Sequence, residues 1–171
     1  MPLSVFVDTF NITTGIAGST VARTGYGFQP SAAIFFWSGA TATTDTLTTN
    51  APHQRGFGAA VSATSRWAVF SQSEDGSLTT NADCMIRTDS CVGNLTAAGA
   101  VEGLADFSSF DTDGLTLVID DAFTNNIRVT CVAIGGADIT NTATGTLTVP
   151  GATGSVNYSV GFQPDFVLFA G

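Results

Sequence analysis

Short apolar runs recur along the whole chain, each bounded by Gly, Asn, Asp or Ser, and almost none can be extended into an amphipathic helix. A chain punctuated in this way can bury its apolar residues only by pairing strands. Residues 4–10 alternate through Val5, Val7 and Thr9, whereas residues 32–37 are an unbroken apolar run, as in a strand covered on both faces. Further strands are expected at 66–71, 84–87, 114–119, 127–134 and 145–149, and the alanines within 95–104 allow one short helix. The expected class is all-β, an antiparallel β-sandwich or jelly roll.

Composition supports that class and narrows the partners. The 26 threonines and 13 phenylalanines favour strands, the 19 glycines favour turns, and 44% hydrophobic residues suffice for a core. Charged residues make up only 11%, against roughly 25% in ordinary soluble domains. Fourteen acidic residues face five arginines and no lysine, and the net charge of -9 repels nucleic-acid phosphates and anionic membranes, so neither is an expected partner. No segment approaches the roughly 18 apolar residues of a membrane helix, and Met1-Pro2-Leu3-Ser4 lacks the basic start of a signal peptide. A polar, sparsely charged exterior suits protein-protein contact, and the same net charge also serves solubility.

Residues able to carry chemistry are few. His53 is the sole histidine, and no Gly-x-Ser-x-Gly elbow accompanies it. Cys84, Cys91 and Cys131 are an odd number without a CxxC pair; small buried fillers are expected, although Cys84 and Cys91 could close a hairpin if oxidised. No metal or other cofactor is expected; if calcium were bound, Asp111 and Asp113 in Asp-Thr-Asp-Gly would be its ligands, the alternative being a polar turn whose carboxylates bond local N-H groups. The other acidic groups are Glu74-Asp75 and Asp120-Asp121, and a glycosidase would need two such carboxylates about 5 to 10 Å apart. Trp37, Trp67, Tyr26 and Tyr158 could form a sugar-stacking platform, but Trp37 and Trp67 sit in apolar strands and are expected in the core. Non-enzymatic function is the expectation.

One internal repeat stands out. Gly27-Phe28-Gln29-Pro30 and the apolar segment after it recur as Gly161-Phe162-Gln163-Pro164 followed by Asp165-Phe166-Val167-Leu168-Phe169, about 134 residues later. Pro30 fixes φ before a strand, Gly27 permits a turn and Phe28 can plug a sandwich end, so Gly27, Phe28, Pro30, Gly161 and Pro164 read as a strand-entry device. The spacing divides the chain into a β-sandwich unit, 1–136, and a partial second repeat or strand-exchange segment, 137–171. Phe162, Phe166, Leu168 and Phe169 are the expected interface, inserted beside a neighbouring sheet in the manner of strand addition.

These motifs carry a resemblance. Gly-Phe-Gln-Pro before an apolar strand, His53-Gln54-Arg55-Gly56-Phe57-Gly58, Phe110-Asp111-Thr112-Asp113-Gly114-Leu115 and the closing Val129-Thr130-Cys131-Val132-Ala133-Ile134-Gly135-Gly136 resemble repeat domains of tailed-phage virion proteins. There a similar segment opens a lectin-like sandwich, and a Gly-Gly segment closes it. The commoner form continues the opening strand with a Trp and a Lys-Arg pair; here Phe36-Trp37-Ser38-Gly39 follows, so no role of those basic residues carries over. The resemblance implies a structural protein at a virion surface or outside the cell, of head-decoration, head-fibre or tail-fibre type. It would act by homo-oligomerisation and by contact with other virion proteins. The alternative is a carbohydrate-binding module that attaches to surface glycans.

Overall fold

The computed structural model describes residues 2–13, 15–41, 45, 47, 52–74 and 81–170. Among them there is no helix, and ten strands run in the order β1 (Ser4–Ile12), β2 (Thr20–Thr24), β3 (Pro30–Ser38), β4 (His53–Ser62), β5 (Ser65–Glu74), β6 (Asn81–Arg87), β7 (Val92–Leu95), β8 (Val101–Asp111), β9 (Gly114–Asp121) and β10 (Ile127–Gly135). They form two antiparallel sheets, one ordered β1-β10-β3-β4-β5-β6 and the other β2-β9-β8-β7, packed face to face as a β-sandwich.

The inner faces explain the packing. Alternation sends Ala33, Phe35 and Trp37 of β3 and Val129, Cys131 and Ala133 of β10 inward, to meet Leu115, Leu117 and Ile119 of β9. Phe35 and Phe70 are buried in the middle of this core. Near β4 the layers come closer than side chains would allow, since a Cβ at Gly58 would stand 2.0 Å from the Cys91 carbonyl oxygen; one at Gly56 would overlap the indole of Trp37, its partner on the adjacent strand. Trp37 Nε1 donates to the Gly93 carbonyl across the layers, at 2.7 Å. Of the two glycines that depress strand propensity in β4, Gly58 therefore serves close inter-sheet approach and Gly56 makes room for the Trp37 indole beside it.

Two expected elements differ. Residues 95–104 are not helical: Thr96 N donates to Ala100 O and Gly99, at a φ of 76°, turns the chain from β7 into β8. Register shifts in β8 then bury Glu102, Gly103, Leu104 and Ala105 consecutively, which hides its strand periodicity. Residues 145–149 form no strand, because no neighbouring strand pairs with them, and Val149 is exposed. All ten strands lie within residues 4–135; residues 136–170 run outside the sheets, with Thr142 Oγ1 donating to the Ser31 carbonyl and Thr144 Oγ1 hydrogen-bonded to Ser65 Oγ.

Replacing Gly58 by Ala is expected to cost about 3 kcal/mol or more, the upper end of overpacking penalties, whereas Gly151→Ala, with nothing within 4 Å of the new methyl, should be nearly neutral. Urea denaturation of the two variants checks the contrast, and equal midpoints would remove the close-approach argument.

Candidate functional site

The first Gly-Phe-Gln-Pro copy lies where the two sheets are joined. Asp113, in the β8-β9 turn, accepts the Gly27 amide on Oδ1 at 2.5 Å and the Gly25 amide on Oδ2 at 3.0 Å, and its carbonyl accepts from Tyr26 N. Positive φ at Gly25 and Gly27 points those amides at one carboxylate. Phe28 is buried against Gly135, Gln29 Nε2 donates to the Phe110 carbonyl, and Pro30 then opens β3.

Behind this turn is an ion pair. Arg23 donates to Asp8 from Nε at 2.7 Å and from Nη2 at 3.1 Å, the Tyr26 hydroxyl donates to the same carboxylate, and the guanidinium lies over the Phe10 ring. Burial pushes the Asp8 carboxyl up, but the hydrogen bonds and charge of Arg23 outweigh it and hold the group below its usual range. Burial also raises the Tyr26 hydroxyl and pushes the nearby Cys131 thiol up to about 12, which keeps both protonated and the thiol unreactive.

Asp111 and Asp113 do not converge. Asp111 accepts from the Ser109 and Thr116 hydroxyls, both at 2.7 Å, while Asp113 holds the glycine amides. Among the described residues no group of three His, Cys, Asp or Glu side chains is placed to hold a metal ion. The acidic pair beginning at Glu74 continues into Asp75, outside the described residues.

The aromatic candidates divide between core and surface. Trp37 and Tyr26 are buried, whereas Trp67 is half-buried on the outer face of β5, beside Phe57, and Tyr158 is exposed. Trp67 and Tyr158 line one cleft of about 390 Å³ with Arg66, Thr88, Thr144 and Thr146. A second shallow cleft, of about 340 Å³, is lined by His53, Arg55, Ser71, Ser73, Asp83 and Cys84. Cys84 is exposed, because it occupies an outward position of β6; Cys91 and Cys131 are buried, and all three thiols are free.

The second motif copy shares one backbone feature of the first without its surroundings. Gly161 has a φ of 80° against 75° at Gly27. Among the described residues, however, no side chain hydrogen-bonds the Gly161 amide as Asp113 bonds that of Gly27. Phe162 is half-buried, and Phe166, Leu168 and Phe169 are exposed by 71%, 46% and 76%.

One buried polar group escaped the sequence reading. Glu102 accepts from Gln54 at 2.6 Å, from Asn94, and from Thr124 and Asn125, tying β4, β7, β8 and the β9-β10 loop together without a salt bridge among the described residues. The available signal was a pair of acids, Glu102 and Asp106, inside the otherwise apolar segment 101–107. The partners of Glu102 come from three other parts of the chain.

Comparison of the chain with protein-family models, curated proteins and solved structures gives no match.

Because Asp8 titrates lower in the folded chain than its unfolded value of about 4, its contribution to stability is complete above that value and is lost as pH falls through the folded one. Asp8→Asn should therefore cost about 1–2 kcal/mol at pH 7 and progressively less towards pH 2. Denaturation midpoints of both proteins across that range test this, and a pH-independent difference would contradict it.

Proposed function

We propose that this chain is a non-enzymatic structural module of a virion surface, acting by self-assembly, in which the C-terminal segment of one copy is covered by the next. The observation that carries the reading is the duplicated strand-entry motif. Its first copy leads into a strand buried between β10 and β4, and its second leads into Phe166, Val167, Leu168 and Phe169, all between 46% and 76% exposed. A run with large apolar side chains at successive positions is a strand that needs cover on both faces. Left open, it is an aggregation hazard. The likeness of the motifs to phage appendage and decoration repeats supports the virion setting and other virion proteins as further partners. On this reading residues 137–171 belong to a second repeat or strand-exchange segment, and residues 1–136 form the sandwich unit.

Light scattering of the full chain should show a multimer at tens of micromolar, and Phe166→Ser with Phe169→Ser should shift it towards monomer without changing its circular dichroism. A wild-type monomer throughout that concentration range overturns the reading.

The cleft between Trp67 and Tyr158 favours a second reading, a carbohydrate-binding module. It sets aromatic faces beside the threonine hydroxyls and Arg66, the chemistry that recognises a sugar ring by stacking and hydrogen bonding. Screening against immobilised glycans should then find a saturable ligand, whose affinity Tyr158→Ala lowers about tenfold, the equivalent of about 1.4 kcal/mol of lost stacking. A screen without hits removes this reading and leaves the first untouched.

A further inference from the structure

The outward face of the six-stranded sheet carries a continuous apolar field bordered by polar residues. In the strand register, Val7, Val132, Ile34, Ala59 and Trp67 follow one another across five strands. One row along, Phe36, Phe57, Val69 and Ile86 do the same, with Phe57 edge-on to Phe36 at 4.9 Å and tilted against Trp67 at 5.4 Å. Nothing in the four-stranded sheet reaches this side. Val7 is 60% exposed, Phe36 43% and Ile86 61%. Six strands about 4.8 Å apart make a face about 24 Å wide, a contiguous patch of the size that marks an interaction site rather than scattered surface residues.

Its charge is opposite to that of the chain. Arg23, Arg66 and Arg87 pair with Asp8, Asp106 and Asp89. The remaining two, Arg55 and Arg128, make no salt bridge among the described residues, and both belong to the row beside the apolar field, with His53 one row further. The outward positions of the six strands hold no Asp or Glu. Residues 137–171 are the complement: uncovered apolar side chains, Asp138 and Asp165, and no basic residue.

We infer that the outer face of the six-stranded sheet is the docking surface for residues 161–169 of a second copy of this chain. This rests on the self-assembly reading and names its receiving surface. Nine extended residues span about 30 Å at about 3.3 Å each, enough to cross the face. Phe166, Phe169 and their neighbours meet Val7, Ile34, Phe36 and Phe57, and Asp165 meets Arg55 or Arg128 at the polar border. The chain's own sheet leaves those side chains exposed, so the cover comes from another copy. Segment and face are different surfaces, and the contact is heterologous, closing a ring or extending a filament.

The experiment uses the full chain with three sets of substitutions, each checked for unchanged circular dichroism and melting temperature. The face variant is Phe36→Glu with Ile86→Glu, both exposed, and the segment variant is Phe166→Glu with Phe169→Glu. By light scattering on dilution, each should raise the concentration needed for assembly at least tenfold. Mixed together they should form a 1:1 heterodimer, since the segment of the first meets the face of the second and neither can propagate. Arg55→Asp and Asp165→Arg should each weaken assembly, and together restore it in part. A wild-type monomer defeats both the self-assembly reading and this inference. Assembly lost in the segment variant but retained in the face variant overturns the inference alone. Loss in the face variant alone, or failure of the mixture to pair, shows that the face receives a different partner, and likewise overturns it.

Discussion

A β-strand sends alternate side chains to opposite faces, and a single partner sheet can cover only one of them. In this protein the four-stranded sheet covers the inner face of the six-stranded one, where Phe35, Phe70, Val129 and Cys131 are buried. The outer face, with Val7, Phe36 and Ile86, carries apolar side chains too, and no sheet among the described residues covers it. That imbalance organises the exterior. The acidic groups of the strands lie off this face, and uncovered apolar side chains are concentrated on it and on one C-terminal segment. Burial of apolar surface is the dominant favourable term in folding and association alike. The rule that closes the core is therefore also the physical basis of the proposed assembly.

Within the sandwich, polar groups act as fasteners between layers. Asp113 reaches from the β8-β9 turn to the Gly25 and Gly27 amides, fixing where β3 begins, and Asp8 gathers Arg23 and Tyr26 beside it. At another junction Glu102 holds donors from β4, β7 and the β9-β10 loop. Glu102 is buried, where a carboxylate is costly unless its lone pairs are satisfied, whereas Asp8 is half-buried and Asp113 exposed. Each of these has several donors, which restricts the two sheets to one relative placement. Asp111 accepts from the Ser109 and Thr116 hydroxyls within its own hairpin, so the two carboxylates of the Asp-Thr-Asp-Gly segment hold different donors.

Much of the fold was legible because strand periodicity is local. Six of the strands expected from residues 4–10, 32–37, 66–71, 84–87, 114–119 and 127–134 correspond to β1, β3, β5, β6, β9 and β10. The four unrecognised strands have local reasons. β2 carries a charge and little apolar character, β4 contains two glycines, β7 is four residues long, and β8 is bulged. The candidate sites were legible only in part. Trp67 and Trp37 look alike in sequence, yet strand parity turns one to the surface and the other into the core.

The all-β class, most strand positions, the acidic character and the duplicated Gly-Phe-Gln-Pro motif can be read from the residues alone, because propensity, alternation and net charge are properties of short segments or of composition. Which face of each strand meets the second sheet, the sharing of the outer face by Arg55 and Arg128, and the place of Glu102 among donors from distant segments follow from the folded arrangement. Those facts depend on strand order and register, which bring together residues far apart along the chain. No local pattern carries that information.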